Sequence, residues 1–198
     1  MKDFILKLVR FAMPMVFFSL LGLFLPATPR ASKSLLFANQ KKDELLQHAK
    51  PPRMIFVGGS NLSFGINSEI IKNELNVSPL NTAVHASIGI RYMLENTIQY
   101  IKEGDTVVLA FEYEHFYRDY NYTSEELLRT IFDVDISKIK LLNFRQAISL
   151  IRFVPRYSLT KINPFEYFRV VESDLYSVNS FNEYGDVYKH WDLSLIHI

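Results

Sequence analysis

Apolar residues are concentrated in one long run near the N-terminus. Residues 11–26 carry no charge, and the mostly apolar positions before them extend this run to about residue 5. A membrane-spanning helix needs roughly 20 such residues. The pattern therefore predicts a span over residues 5–26, within an anchor of residues 1–27. A buried core helix fits less well, because the run has no polar face at a helical period.

Prolines, rather than a cleavage site, follow this span. A cleaved signal peptide ends in a small-x-small motif, whereas Pro26 and Pro29 disfavour processing here. We therefore expect an uncleaved anchor held in the lipid bilayer. Residues 28–52 have the pattern of a polar-faced juxtamembrane stalk helix that ends at Pro51 and Pro52.

From residue 53 onward, strand patterns and helix patterns alternate. This alternation predicts parallel strands joined by right-handed crossovers, hence a doubly wound α/β sheet in a domain of residues 53–192. The predicted strands are residues 53–58, 79–84 and 106–113, and the predicted helices are residues 67–75, 90–105, 123–134 and 137–154.

Composition and charge exclude several kinds of function. The formal net charge is +1 and there is no long basic run, which argues against nucleic acid as a partner. The absence of cysteine excludes thiolate nucleophiles, disulfides and cysteine-based zinc sites. Asp133 and Asp135 form an acidic pair that could bind a metal, but a solvated helix connection explains the pair more simply. We expect neither a metal nor a cofactor.

Sheets of this class place their sites at the carboxyl ends of the strands. The three predicted strands lead into residues 58–63, 85–89 and 112–115. In the first of these, two glycines precede Ser60. A tight turn with a capping serine explains that pattern. So does a nucleophile exposed on a strand-to-helix turn, beside backbone N–H groups that bind an oxyanion.

The segments GGSNLSFG, NTAVHASIG and VVLAFEYEHF resemble the first three blocks of the SGNH (GDSL-type) hydrolase superfamily. The resemblance covers about residues 53–115 and is closest to membrane-anchored SGNH-like proteins of envelope polysaccharide acylation. It implies a flavodoxin-like sheet, a nucleophile at Ser60, and oxyanion-binding N–H groups at Gly59 and Ala86. Further residues at this edge, expected in a substrate pocket, are Asn61, His85, Glu112 and His115.

Each of the three segments departs from the family pattern. Gly59 stands where the family has aspartate, and Ala86 stands where it has glycine. Glu112 and Tyr113 stand where the family has the asparagine that completes its oxyanion hole. A glutamate repels a developing oxyanion unless it is protonated, so Glu112 argues against ordinary esterase geometry.

The family's general base, a histidine in a late D-x-x-H block, has no counterpart in this chain. The nearest candidates are Asp186 with His190, one residue too far apart, and the strand-end histidines His85 and His115. The ending LSLIHI, residues 193–198, resembles the translation of a transposase-end adapter used for sequencing libraries, and a short apolar terminal strand is the alternative. On the adapter interpretation the missing block lies in the natural gene after Asp192, and we expect the chain as given to be inactive.

The resemblance implies a membrane-anchored esterase or acyltransferase that acts on acyl groups of a cell-envelope glycan, with its domain on the extracytoplasmic face. A glycan substrate and a membrane acyltransferase are the expected partners, and aromatic residues in FEYEHFYRDYNY either contact sugar or pack internally. The alternative is a non-catalytic SGNH-like binding or scaffold protein in a polysaccharide-assembly complex. A plain anchored domain without a site is a third interpretation.

Overall fold

The computed structural model describes residues 1–117, 123–168 and 175–191. The adapter-like ending at residues 193–198 and the end of the aromatic stretch, residues 118–122, lie outside the described residues. In chain order the helices and strands are α1 (Lys2–Phe24), α2 (Pro29–Ser32), α3 (Ala38–His48), β1 (Arg53–Gly58), α4 (Ser60–Gly65), α5 (Ser68–Leu75), β2 (Ser78–Asn81), α6 (Ile90–Ile98), β3 (Thr106–Ala110), α7 (Glu114–Tyr117), α8 (Glu125–Arg129), α9 (Phe144–Leu150), α10 (Val154–Ile162) and α11 (Phe165–Phe168). Short 3₁₀ turns lie at Leu35–Phe37, Ala86–Ile88, Ile136–Leu141, Ile151–Phe153 and Val178–Ser180, and a π-helical turn lies at Thr130–Val134.

Three parallel strands form the sheet, in the order β2-β1-β3. The register pairs Ile55 of β1 with Leu80 of β2 on one side and with Val107 of β3 on the other. Each successive strand is reached through a helical crossover, because parallel strands cannot be joined by a tight hairpin. The predicted α/β class with parallel strands is confirmed. Three strands do not confirm its finer form, a flavodoxin-like doubly wound sheet.

Apolar side chains cover both faces of the central strand β1. Ile55 packs with Leu46 of α3 on one face. Phe56, the next residue, points to the opposite face and packs with Leu62 of α4. Successive residues of a strand point to opposite faces, so a strand covered on both sides has the nearly continuous apolar pattern of β1. This packing holds the carboxyl end of β1 at the centre of the sheet edge.

Helix α3, in the segment expected to form a stalk, packs against the sheet. Leu46 is fully buried, and Lys42 on the same helix is also buried. Arg53, at the start of β1, donates a hydrogen bond to the carbonyl of Leu46 at 2.5 Å and forms a buried ion pair with Asp105 ahead of β3. The apolar side of α3 therefore contributes to the core of the domain.

Helix α1 is apolar and mostly exposed. Only 11% of an 18-residue apolar window in this helix is buried against the rest of the protein. A core helix would have most of its surface covered, so the exposure fits a helix whose surroundings are lipid. Within the described residues, this is the one helix long and apolar enough to cross a membrane or to act as a signal anchor.

Residues 123–168 are mostly helical, as the pattern of residues 123–154 predicts, but this part of the chain is divided into short elements. Helix α8 begins after Ser124, whose hydroxyl accepts the N–H of Leu127 at 3.0 Å. The predicted helix over residues 137–154 is interrupted at Asn143, which starts α9 through a capping box with Gln146. A side chain that binds the backbone N–H groups of a new first turn favours a helix start at that position.

Candidate functional site

The carboxyl ends of the strands open into one cleft. Its volume is about 550 Å³, and it combines apolar and aromatic side chains with a few polar ones, as ligand pockets commonly do. The sequence-predicted site residues Ser60, Asn61, His85 and Glu112 all contribute to its lining. The remaining lining residues, which sequence reasoning missed, are Leu35, Phe64, Val84 and Tyr176.

Ser60 is the first residue of α4, directly after the strand-to-helix turn. Gly59 allows this turn to approach its neighbours closely. A Cβ atom added at Gly59 would lie 2.5 Å from Oε1 of Glu112 and 2.9 Å from Cα of Ala86. The glycine thus brings the turn against Ala86, the other residue expected at the oxyanion site, because any side chain at position 59 would separate them.

Glu112 binds the start of α4 with one carboxylate oxygen. Oε1 accepts the hydroxyl proton of Ser60 at 3.0 Å and the backbone N–H of Asn61, also at 3.0 Å. An ionised carboxylate is purely an acceptor, so it satisfies both donors at once. The N–H of Asn61 was not identified from the sequence, because a backbone donor has no residue signature.

This contact determines what the site can do chemically. The backbone N–H of Asn61 at this edge already donates to the carboxylate of Glu112, so it is not open to another acceptor while that contact lasts. The hydroxyl of Ser60 points its proton at an acceptor, as a nucleophile must before it is deprotonated. Among the described residues, no imidazole forms a hydrogen bond with Ser60.

His115 lies behind the cleft, fully buried. Its Nδ1 accepts the backbone N–H of Glu112 at 3.0 Å, so its Nε2 carries the proton and donates to the carbonyl of Ala86 at 2.9 Å. The imidazole therefore joins the end of β3 to the loop after β2. Both ring nitrogens are engaged, which makes His115 a positioning residue and leaves no free nitrogen for Ser60.

His85 lines the cleft and is half-buried. Its Nδ1 accepts the backbone N–H of Ser87 at 3.1 Å and so caps the 3₁₀ turn at Ala86–Ile88. In the neutral ring the proton is then on Nε2, which makes that nitrogen a donor. A general base needs the opposite tautomer. His85 is consequently suited to donate a hydrogen bond to a ligand in the cleft.

Asp186 and His190, the nearest match to the missing D-x-x-H block, have separate surroundings. The buried carboxylate of Asp186 accepts the N–H and hydroxyl of Ser68 at 2.7 and 2.8 Å, and the amide of Asn81 at 2.9 Å. His190 packs its ring against Phe64 at a centroid distance of 5.5 Å. Asp186 thus fixes the late segment to α5 and β2, and its carboxylate does not orient the imidazole.

The carbonyl of Gly185, next to Asp186, binds Lys42 of α3. The ammonium group donates to this carbonyl at 2.9 Å and to that of Ala83. Burial lowers the pKa of Lys42, and the nearby charge of Asp186 opposes that effect. The two carbonyl acceptors, and the face of Phe181 at 4.3 Å from Nζ, partly offset the free-energy cost of burying this group. Lys42 therefore links α3 to the loop after β2 and to the segment around Gly185.

The acidic pair Asp133 and Asp135 is used within the fold. Asp133 forms a buried ion pair with Lys161 at 2.7 Å and accepts the hydroxyl proton of Tyr157. Asp135 accepts the N–H of Ser137 at 2.9 Å and caps the following turn. Within residues 1–117, 123–168 and 175–191, no group of three or more His, Cys, Asp or Glu side chains is arranged to hold a metal ion.

Comparison with protein-family models, with curated proteins and with solved structures gives no match for this chain. The likeness of its three segments to the SGNH blocks is therefore carried by those residues alone.

Proposed function

We propose that this chain belongs to a membrane-anchored SGNH-like esterase or acyltransferase that acts on acyl groups of a cell-envelope glycan. The observation that supports this most is the placement of Ser60. Its hydroxyl lies on a strand-to-helix turn at the carboxyl edge of a parallel sheet, lines an open cleft, and binds a carboxylate at 3.0 Å. The proposed fold is the flavodoxin-like, doubly wound sheet of that superfamily, with the β2-β1-β3 strands as its first part.

In the proposed reaction, Oγ of Ser60 forms a bond to the acyl carbon and the ester C–O bond breaks. In place of the late histidine expected from the SGNH resemblance, Oε1 of Glu112, the acceptor already in contact with the hydroxyl, takes its proton and passes it to the departing oxygen of the glycan. Water, or a hydroxyl of a second glycan, next attacks the acyl carbon, the bond from that carbon to Oγ of Ser60 breaks, and the attacker's proton passes through Glu112 to Oγ. Hydrolysis and acyl transfer differ only in this acceptor.

Proton transfer to Glu112 also relieves the electrostatic conflict at the site. An ionised carboxylate repels an oxyanion, but the neutral acid formed by proton transfer does not. The N–H of Asn61 is then released to the substrate oxygen, next to the proposed N–H groups of Gly59 and Ala86. The charge of Glu112 is thereby removed at the step in which charge develops on the substrate.

A glycan substrate is supported by the aromatic residues that follow Glu112. Tyr113 and Tyr117 stack on each other at a centroid distance of 5.5 Å, with an angle of 14° between the rings. Both remain exposed, at 80% and 78%. Tyr113 directly follows the cleft residue Glu112 in the chain. Exposed aromatic faces suit the apolar faces of sugar rings, because packing there removes both surfaces from water.

The membrane anchor supports the cellular setting of this proposal. Helix α1 is long and apolar enough to hold the domain at a bilayer. We place the domain on the extracytoplasmic face, where envelope glycans are found, and a membrane acyltransferase as the partner that supplies or receives the acyl group. No cofactor takes part in the proposed chemistry.

A non-catalytic binding or scaffold protein is the second candidate. It is favoured by one observation, the occupation of the Asn61 N–H by Glu112. In that case the cleft and the exposed tyrosines bind a glycan, and Ser60 only stabilises the turn.

A fluorophosphonate probe separates the two candidates. The protein is expressed from its natural gene in its own membrane, as wild type, Ser60→Ala and the control Ser149→Ala, a serine on α9 whose hydroxyl bonds its own helix. Labelling of the wild type and of Ser149→Ala, but not of Ser60→Ala, supports acyl chemistry at Ser60. Absence of labelling in all three, in membranes where a known serine esterase is labelled, contradicts it and favours binding.

A further inference from the structure

Helix α10 packs alongside the last turns of the anchor helix α1. The hydroxyl of Ser158 donates to the carbonyl of Ser19 at 2.5 Å. Gly22 permits this approach, because a Cβ atom there would lie 2.5 Å from Cβ of Ser158. Lys161 donates to the carbonyl of Leu25 at the end of the same helix. Close packing at small residues is the way helices associate within membranes.

These contacts determine the depth at which α10 lies. Ser19 is six residues before Leu25, which corresponds to about 9 Å along a helix axis. If α1 spans a bilayer up to residue 26, then Ser158 lies beside the last turns of the span, where Gly22 and Leu23 of α1 are themselves buried against the domain. Helix α10 then lies next to the boundary between headgroups and acyl chains.

A second contact holds the next helix at the same place. Arg30 of α2, just after the anchor, forms an ion pair with Glu166 of α11 at 3.0 Å. Both α10 and α11 are thus attached to the point where the chain leaves α1. The two helices therefore lie beside the end of the anchor.

The exposed side of α10 and α11 is strongly apolar. Four residues at intervals of three form what we call the α10–α11 surface. These residues, with their exposed fractions, are Leu159 (67%), Ile162 (46%), Phe165 (74%) and Phe168 (83%). Exposed apolar residues grouped in this way mark a contact with a protein or a membrane.

We propose that α10 and α11 form a second membrane contact, in which the α10–α11 surface inserts among phospholipids beside α1. Lipid is the occupant that continuity favours, since the bilayer that surrounds α1 at Ser19 extends directly over the neighbouring α10. The inference rests on the anchoring part of the proposed function. It adds a contact that fixes the domain against the membrane, instead of leaving it tethered by α1 alone.

Because the chain has no cysteine, single-cysteine spin labels test this contact in the full chain. The protein is reconstituted into nanodiscs of phosphatidylcholine and phosphatidylglycerol, with labels at Leu159→Cys or Phe165→Cys. Two reference positions are Phe17→Cys, 60% exposed on α1, and Ile98→Cys, 65% exposed on α6. Each label is measured for access to oxygen, which concentrates in lipid, and to a water-soluble nickel chelate.

We expect the labels at positions 159 and 165 to favour oxygen over the nickel chelate, as at position 17, and the label at position 98 to show the reverse. Nickel access at 159 and 165 equal to that at 98 overturns the inference. So does shielding from both reagents, which indicates a covering protein. If position 17 itself is open to nickel, the anchor has failed and both proposals fall. An oxygen preference at 17 but not at 159 or 165 rejects the second contact alone.

Discussion

The carboxylate of Glu112, from the end of the third strand, accepts the hydroxyl proton of Ser60 across 3.0 Å. Fifty-two positions separate the two residues in the chain, and the parallel sheet brings them together at one edge. The same oxygen accepts the N–H of Asn61. This contact is the basis of the proposed chemistry and of the first prediction.

Replacing Glu112 with glutamine keeps the shape of the side chain but removes the basic carboxylate that would take up the proton of Ser60. We expect Glu112→Gln to slow fluorophosphonate labelling of Ser60 by about 100-fold or more, the usual contribution of a positioned general base. The measurement is the labelling rate in native membranes at equal protein levels. An unchanged rate would show that another group deprotonates Ser60.

Gly59, just before α4, and Gly65, at its end, allow a matched test of how crowding at a glycine changes the free energy of unfolding. At Gly59, an added methyl group meets Oε1 of Glu112 at 2.5 Å and the Ala86 backbone, whereas at Gly65 it meets nothing within 4 Å. We expect Gly59→Ala to lower the free energy of unfolding by about 1–3 kcal/mol through overpacking. Gly65→Ala should be neutral or slightly stabilising. Chemical denaturation in detergent micelles measures both, and equal effects would contradict the close approach.

His115 should act through position and not through proton transfer to substrate. His115→Leu leaves the N–H of Glu112 without its acceptor, which costs about 1–3 kcal/mol for a buried group. We also expect slower labelling of Ser60, because the carboxylate of Glu112 is no longer held in place. His115→Gln, which keeps an acceptor and a donor, should recover part of both losses.

The control for this prediction is His48→Leu, at an exposed histidine on α3, which should change neither property. Loss of labelling with no loss of stability in His115→Leu, without recovery in His115→Gln, would indicate a direct chemical role instead.

The ion pair between Arg53 and Asp105 should make stability depend on pH. The hydrogen bonds from Arg53 lower the pKa of Asp105 in the folded protein. The pair therefore stabilises the fold above the unfolded pKa of about 4, and its contribution is lost as pH falls through the lower, folded pKa. Asp105→Asn leaves Arg53 buried without its charge partner, and we expect a loss of about 3 kcal/mol or more near neutral pH.

In Asp105→Asn, the decrease in the free energy of unfolding that this pair causes at acidic pH should also be absent. Denaturation series at neutral and acidic pH measure it, with Glu95→Gln as the control, since the Arg91–Glu95 pair is exposed and contributes little. Equal losses in the two variants would contradict a structural role for the buried pair.

How far the sequence predicts this molecule depends on the range of the interactions involved. The apolar patterns of α1 and β1 are local, and they identify the candidate span and the central strand. Because parallel sheets place their sites at the carboxyl ends of the strands, the sequence alone predicts that Ser60 and Glu112 lie at one edge. The break at Asn143 has a local signal as well, the glutamine three residues later that completes a capping box.

Long-range side-chain contacts could not be predicted in this way. Nothing in the pattern of residues 28–52 indicates that Leu46 is buried against β1. Asp186 could not be assigned to Ser68 and Asn81, because their contacts are set by tertiary packing between distant segments. Likewise, the position of α10 against α1 follows from tertiary contacts such as the packing of Ser158 on Gly22, which have no signal in the sequence pattern.

Formation of an acyl-serine at Ser60 tests the central claim most directly. Native membranes that contain the wild type, Ser60→Ala or Ser149→Ala are treated with p-nitrophenyl acetate and quenched in acid, and the peptide that contains residue 60 is analysed by mass spectrometry. We expect an acetyl group on Ser60 in the wild type and in Ser149→Ala, and none on this peptide in Ser60→Ala. An unmodified Ser60 in the wild type, under conditions where a known serine esterase is acetylated, would contradict the account.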